Sequence, residues 1–213
     1  MGASDMLALY GKHPSKGDFI GGGLPVQAGL EGWLDSALAE ARHGLDSDWE
    51  TVWGLARPLR FWIGPSIWGE TSAGVLAASA DKVGRRYPLL IAGFGAECPP
   101  CPVIDPVQDW HGAVEAKLVE MLAGETAELN GFSARCQAQM PSGPPEFWAA
   151  RPGADVVGLL EDIVLTDHHR ASHNRSYWWI AGDDFGHSQV WAGEGLPSGH
   201  VIAWFLRGYA ENG

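Results

Sequence analysis

Basic residues, cysteines and long apolar runs are all scarce in this 213-residue chain, and each shortage excludes a class of protein. Lysine and arginine together number 14 against 26 acidic residues, which gives a formal net charge of −12. Because phosphate groups repel such a chain, we expect no nucleic acid partner and no attraction to anionic membrane surfaces. Three cysteines, an odd number, provide no disulfide framework and are typical of a reducing compartment.

Segments that would carry the chain into or across a membrane are also lacking. No apolar run approaches the ~20 residues that span a bilayer, so we expect no membrane insertion. Residues 1–5 have neither the basic start nor the apolar centre of a signal peptide. These features predict a cytoplasmic protein.

The composition that remains is that of a folded domain. Hydrophobic residues make up 46% of the chain and charged residues 19%, which is outside the range of disordered proteins. The length favours a single domain over 1–213 that buries a sizeable core without disulfides.

Hydrophobic periodicity predicts a mixture of strands and helices. Strand-length apolar runs occur at 6–10, 60–63, 75–80, 88–92, 176–181 and 188–192, and 131–137 is a further candidate. Helices are predicted at 26–44, at 47–56, from Asp105 to Gly124, at 156–164 and at 197–208. The run 201–206 would equally make a buried strand, and that alternative stays open. Since strands and helices mix without strict alternation, the pattern predicts one α/β domain with a mixed sheet and helices on both faces.

The chain is organised around the stretch 74–92. Two strand-length apolar runs, 75–80 and 88–92, flank a turn-like segment that contains Asp81, Arg85 and Arg86. A guanidinium between two buried segments needs a carboxylate or carbonyl partner, because an unpaired buried charge is costly. The cluster is therefore interpreted first as a structural Asp–Arg ion pair that joins two strands. Its alternative role is a recognition surface.

Two groups of side chains could instead support chemistry. The spacing of Cys98 and Cys101 is typical of redox or zinc sites, although the next helix begins only after Asp105 and Cys136 stands alone. His168, His169 and His173 form the best metal candidate, but no His-Glu-x-x-His pattern accompanies them and their flanks are polar. The sequence gives no argument for catalysis, and we expect no cofactor and no metal.

Three motifs in order give the chain a family resemblance. They are Gly11 to Phe19, then Trp33-Leu34, then Ser79 to Leu89, and the later Trp178-Trp179 and Gly195-Leu196-Pro197 agree with them. Together they resemble the TagF family (also called ImpM) of type VI secretion-associated proteins. The strong similarity covers residues 6–95, whereas 97–170 is only weakly matched. His13 stands where family members often carry an aliphatic residue.

The resemblance implies a three-layer αβα sandwich and a cytosolic accessory protein of a bacterial type VI secretion system. Relatives repress assembly of that system after translation by engaging its forkhead-associated scaffold protein. Some relatives are fused to a serine/threonine phosphatase domain. This chain is too short to include one, so any phosphatase is expected to be a separate partner.

We therefore expect a non-enzymatic module that regulates secretion by occupying a scaffold protein. Its partner-binding or structural residues are expected to be Lys12, Lys16 and Asp18 in the first loop together with Asp81, Arg85 and Arg86. The alternatives are a metal- or thiol-dependent enzyme that uses the histidine or cysteine cluster and a structural subunit of the secretion apparatus.

Overall fold

The computed structural model describes residues 7–21, 24, 27–124, 128–129, 132–134, 168, 171–182 and 188–208. Seven strands lie within these ranges: β1 (Ala8–Gly11), β2 (Ile20–Gly21), β3 (Leu59–Ile63), β4 (Ser72–Ala77), β5 (Leu89–Phe94), β6 (Arg175–Ile180) and β7 (Gln189–Glu194). The same ranges contain the helices α1 (Gln27–Leu45), α2 (Trp49–Leu55), α3 (Pro65–Trp68), α4 (Asp109–Ala123) and α5 (Gly199–Arg207). No helix within the described ranges is both long and apolar enough to cross a membrane.

The described strands form one sheet in the order β2-β1-β5-β4-β3-β6-β7, and every neighbouring pair is antiparallel. The α/β class is confirmed, but the prediction of a mixed sheet is wrong for these strands. Parallel neighbours need a crossover connection of about a dozen residues or more. Short connections instead reverse the chain between β3 and β4, between β4 and β5 and between β6 and β7.

Hydrophobic side chains pack on both faces of this sheet because successive strand residues point to opposite sides. On β3, Phe61 and Ile63 join one buried cluster while Trp62 joins the other. The first cluster contains residues of α1, α2 and α5, and the second contains residues of α4. Burial of each large side chain contributes about 1.5–3 kcal/mol, so the two clusters hold the helices against the sheet.

Most predicted elements are confirmed within a few residues. They include the helices at 26–44 and 47–56, the strands at 6–10, 60–63, 75–80, 88–92, 176–181 and 188–192, and the helix at 197–208. The alternative strand at 201–206 is wrong. The predicted helix at 156–164 lies outside the described residues, and of the candidate strand at 131–137 only 132–134 is described, without strand structure.

The predicted start of α4 at Asp105 is wrong. The amide of Asp105 donates to the carbonyl of Cys101 at 3.0 Å, so Asp105 closes a turn and does not cap the helix. Gln108 then adopts a left-handed backbone conformation with φ 61°, and α4 begins at Asp109. The end of the helix, followed by Gly124, agrees with the prediction.

Candidate functional site: two loops joined at Asp81

The two motif loops lie side by side because of how β1 and β5 pair. The first loop, 12–19, follows β1, and the second loop, 78–88, precedes β5. The pairing of Gly11 with Leu89 brings the end of one strand to the start of the other. The Lys82 amide donates to the Lys16 carbonyl at 2.9 Å, and the Ser79 hydroxyl donates to the Lys12 carbonyl at 2.6 Å. The two motif loops are thus in direct contact.

Gly11 permits this close approach. Its φ is 128°, a left-handed conformation that L side chains rarely adopt, and a Cβ at this position would lie 2.0 Å from the Pro88 carbonyl oxygen. Only glycine therefore fits where the first loop leaves β1.

Asp81 is the centre of the contact between the loops, and its side chain is fully buried. Oδ1 accepts the backbone amides of Val83 at 3.1 Å and Arg85 at 2.9 Å. Oδ2 accepts Nε of Arg85 at 2.6 Å and lies 3.2 Å from Nζ of Lys12. Both carboxylate oxygens therefore have partners, three of them from its own loop and one, Lys12, from the neighbouring loop.

This environment fixes Asp81 in its charged form. Burial alone raises the pKa of the carboxyl, but the hydrogen bonds from Arg85 and Lys12 outweigh it and hold the pKa well below its ordinary value of 3.8. A carboxylate that is already saturated and difficult to protonate is poorly suited to act as a general base. The geometry supports the structural ion pair that the sequence predicted.

The six predicted site residues divide into groups. Lys12, Asp81 and Arg85 form the ion-pair cluster, and Arg85 also reaches the Gly17 carbonyl through Nη2 at 2.6 Å. Arg86 is not part of that cluster, because its guanidinium pairs with Glu50 of α2. The side chains of Lys16 and Asp18 lie on the exposed outer side of the first loop.

The Tyr10–Phe19–Tyr87 aromatic cluster supports the outer end of the first loop. The ring centroid of Phe19 lies 4.8 Å from that of Tyr87 and 5.8 Å from that of Tyr10, and Nζ of Lys12 lies 5.2 Å from the Phe19 centroid. Phe19 nevertheless remains 48% exposed. This ring is thus held in place while one side faces solvent.

His13 anchors the inner side of the first loop. Its ring is fully buried, with Nδ1 accepting the Ser15 amide at 3.1 Å and Nε2 lying 2.8 Å from the Met121 carbonyl of α4. Because Nδ1 is an acceptor, Nε2 carries the hydrogen that is donated to Met121. The histidine thus has a specific structural use, because it joins the first loop to α4.

A second polar cluster, under α4, was not identified from the sequence. Arg60 of β3 donates through Nε to Glu115 of α4 at 2.6 Å and through Nη1 to Gln108 at 3.1 Å. The Gln108 oxygen also accepts Nε1 of Trp179 at 2.6 Å. A single arginine inside the apolar run 59–63 was the available signal, since a buried cation requires partners.

The cysteines and histidines of the alternative hypothesis do not form a metal-binding group in the parts of the chain that are described. Cys98 and Cys101 are buried free thiols, and burial raises the pKa of both, which disfavours the thiolate that redox or metal chemistry needs. Sγ of Cys98 donates to the Gly93 carbonyl at 3.1 Å. His168 and His173 are described, whereas His169 lies outside the described residues.

Comparison with known proteins gives two similarities. The sequence-family model for the TagF N-terminal domain, described as type VI secretion system-associated, matches residues 8–138. The chain is also similar to the crystal structure of PA0076 from Pseudomonas aeruginosa PAO1, with 26% sequence identity and a TM-score of 0.72. That alignment covers 97% of this chain and 96% of the other. No curated protein matches the chain. Both loops of the candidate site lie inside the matched segment 8–138.

Proposed function

This chain belongs to the TagF family of type VI secretion system-associated proteins, and we propose that it is a non-enzymatic regulator that lowers assembly of the secretion system. It acts by binding a forkhead-associated scaffold protein in the cytoplasm. A serine/threonine phosphatase is a second proposed partner.

The observation that carries the proposal is that both carboxylate oxygens of Asp81 already have hydrogen-bond or ion-pair partners. Its oxygens are occupied by Lys12, Arg85 and two backbone amides, so the most polar part of the family motif joins two loops and leaves no group poised for proton transfer. A motif of this kind presents a rigid surface. Binding to a partner is the function that a rigid, exposed loop pair supports best.

The proposed contact surface is the outer side of the two loops. Lys12 and Asp81 are internal and act by fixing the loops. Lys16, Asp18 and Arg85 face outward and are available to a partner. Arg86 contributes by joining the second loop to α2 through Glu50.

We further propose that residues 1–213 form one domain with a three-layer αβα arrangement. The support for this proposal is that α4 packs on one face of the sheet while α1, α2 and α5 pack on the other. The strands at 8–11 and 189–194 also belong to the same sheet.

The test combines secretion with direct binding. Deletion of the gene should raise the amount of type VI substrate in the culture medium, and expression from a plasmid should lower it again. The purified chain should bind the purified scaffold protein in calorimetry. Single alanine substitutions at Lys16 and Arg85 should weaken that binding, whereas Arg42→Ala on the exposed side of α1 should not.

Urea denaturation of each variant separates loss of the surface from loss of the fold. Unchanged secretion after deletion, or absence of scaffold binding by the native protein, would show that the proposed function is wrong.

A further inference from the structure

Positive charge is concentrated in the two loops of the candidate site. Three of the four lysines of the chain, Lys12, Lys16 and Lys82, lie there together with Arg85 and Arg86. With Asp18 and Asp81 counted, the two loops hold five basic and two acidic residues, so their formal charge is +3 on a chain whose net charge is −12. Chance placement of a small number of lysines on an acidic protein would not be expected to give this arrangement.

Internal ion pairs use part of that charge. Lys12 pairs with the buried Asp81, and Arg86 pairs with Glu50. The cations that remain exposed are Lys16, Lys82 and Arg85, although Arg85 also pairs with Asp81, and Asp18 is an exposed carboxylate in the first loop.

Two of these cations are oriented by the fold before any partner arrives. The Lys82 side chain lies across the first loop, with its Cε 2.9 Å from where a Cβ on Gly17 would be. Arg85 donates to Asp81 and to the Gly17 carbonyl, yet its side chain is 59% exposed. An oriented guanidinium loses less conformational entropy when it binds a carboxylate.

Apolar side chains stand beside the cations. Val83, at the tip of the second loop, is 66% exposed, and Phe19 presents one side of its ring from the first loop. Protein interfaces commonly place an apolar contact at the centre and charged contacts at the rim.

We propose that this surface binds an acidic segment of a protein partner that also carries apolar side chains. The carboxylates pair with Lys16, Lys82 and Arg85, and an apolar side chain packs on Val83 and Phe19. Opposite charges speed the encounter and select the partner, since the rest of this acidic chain repels the same segment. The inference rests on the proposed function in that the scaffold protein would supply the segment.

The deciding test uses labelled peptides, so that it does not depend on the scaffold. One peptide repeats Glu-Glu-Leu-Ser and the other repeats Lys-Lys-Leu-Ser. Net charge alone favours the basic peptide, whereas the proposed surface favours the acidic one. We expect fluorescence anisotropy to show that the native protein binds the acidic peptide about tenfold more tightly than the basic one at low salt.

Charge-reversal variants locate the binding. Lys16→Glu combined with Lys82→Glu should weaken binding of the acidic peptide about tenfold. Arg42→Glu combined with Arg207→Glu changes the net charge by the same amount, but near the C-terminal end of α1. This control variant should change the affinity for the acidic peptide less than about twofold. Val83→Ser should weaken binding without changing its salt dependence.

Carbodiimide coupling of peptide carboxylates to lysine amines gives an independent location. Mass spectrometry should identify the acidic peptide on Lys16 and Lys82, and the basic peptide should not be enriched there. Lys117 of α4, 20% exposed and paired with Glu120, is compared between the two peptides as the internal reference. Preference for the basic peptide, equal weakening in both double variants or coupling mainly at Lys117 would overturn the inference. Calorimetry with the scaffold then tests the proposed function separately, so either can fail while the other stands.

Discussion

The Nε2 atom of His13 lies 2.8 Å from the carbonyl oxygen of Met121, and this contact joins the first loop to the last turn of α4. The Met121 carbonyl also accepts the amide of Gly124, so the histidine supplies one of its two donors. We expect His13→Leu to lower the free energy of unfolding by about 1 kcal/mol, the net value of one hydrogen bond. Urea denaturation measures this loss. His13→Gln keeps a donor and should recover part of it, and equal stability of the leucine variant and the native protein would contradict the prediction.

Substitution of Asp81 should destabilise the protein in a pH-dependent way. In Asp81→Asn, the neutral amide leaves Lys12 and Arg85 without their shared counter-charge. The folded pKa of Asp81 lies below the ordinary value of 3.8, so its stabilising contribution is present above that value and is lost as the pH falls towards the folded pKa. The difference between native and variant urea midpoints should be constant from about pH 7 to about pH 5 and should narrow below about pH 4. A constant difference down to about pH 2 would contradict this assignment.

A methyl group on Gly11 should be far more damaging than one on Gly84. Both glycines have positive φ, 128° and 85°, but a Cβ on Gly84 has no neighbour within 4 Å, whereas a Cβ on Gly11 meets the Pro88 carbonyl at 2.0 Å. Gly84→Ala should therefore introduce only backbone strain, which lowers the free energy of unfolding by about 1–2 kcal/mol. Gly11→Ala must also displace the start of β5 and should lose more than about 3 kcal/mol. Thermal and urea unfolding of the two variants compare these losses, which should not be equal.

His111 should make the protein sensitive to mild acid. Burial lowers the pKa of His111 to about 3 from an ordinary value of 6.5. The nearby positive charge of Arg60 also lowers this pKa, whereas the hydrogen bond with the Phe61 carbonyl raises it. The unfolded chain binds a proton at His111 more readily than the folded protein does. The contribution of neutral His111 to the free energy of unfolding is therefore complete above about pH 6.5 and falls as the pH decreases towards about 3. We expect a loss of about 2 kcal/mol between pH 8 and pH 5 from this residue.

The measurement for His111 is the difference between the native protein and His111→Gln, since every other residue is the same in both. The glutamine variant should lose about 2 kcal/mol less stability over the same pH range. Identical pH profiles would show that His111 titrates normally in the folded protein.

The thiols of Cys98 and Cys101 should be inert in the native state. Both are buried, and their raised pKa values keep them protonated at neutral pH. In a Cys136→Ser variant, reaction with a disulfide reagent at about pH 8 should be more than a hundredfold slower than for a free cysteine, and urea should expose two thiols. Rapid reaction of either thiol before unfolding would revive the thiol-enzyme alternative.

The sequence predicted the local parts of this site better than their assembly. A charged, turn-like segment between two apolar runs was sufficient to predict that Asp81 pairs with an arginine, without choosing between Arg85 and Arg86. The expected reason was wrong, because the buried charge is the Asp81 carboxylate and the Arg85 side chain is 59% exposed. The participation of Lys12 depends on the pairing of β1 with β5, which joins distant parts of the chain and leaves no periodic signal. The same limitation explains Arg86, whose partner Glu50 lies on a helix that the motif does not contain.

The strand directions in the sheet and the start of α4 were predicted wrongly for similar reasons. Periodicity reports which residues are buried, but it does not report which strands are neighbours or in which direction they run. Asp105-Pro106 has the composition of a helix start, yet a turn that begins at Cys101 uses the Asp105 amide first. The side chain of Gln108 then binds Arg60 and Trp179, and this tertiary contact fixes the residue just before the helix.

The clustering of lysines also determines how the protein can be attached to a solid support. Among the four lysines, reagents that couple amines will react mainly at Lys16 and Lys82, because Lys12 is nearly covered by its ion pair and Lys117 is only 20% exposed. A sensor chip or bead prepared by such coupling would hold the protein by the face that we assign to its partner.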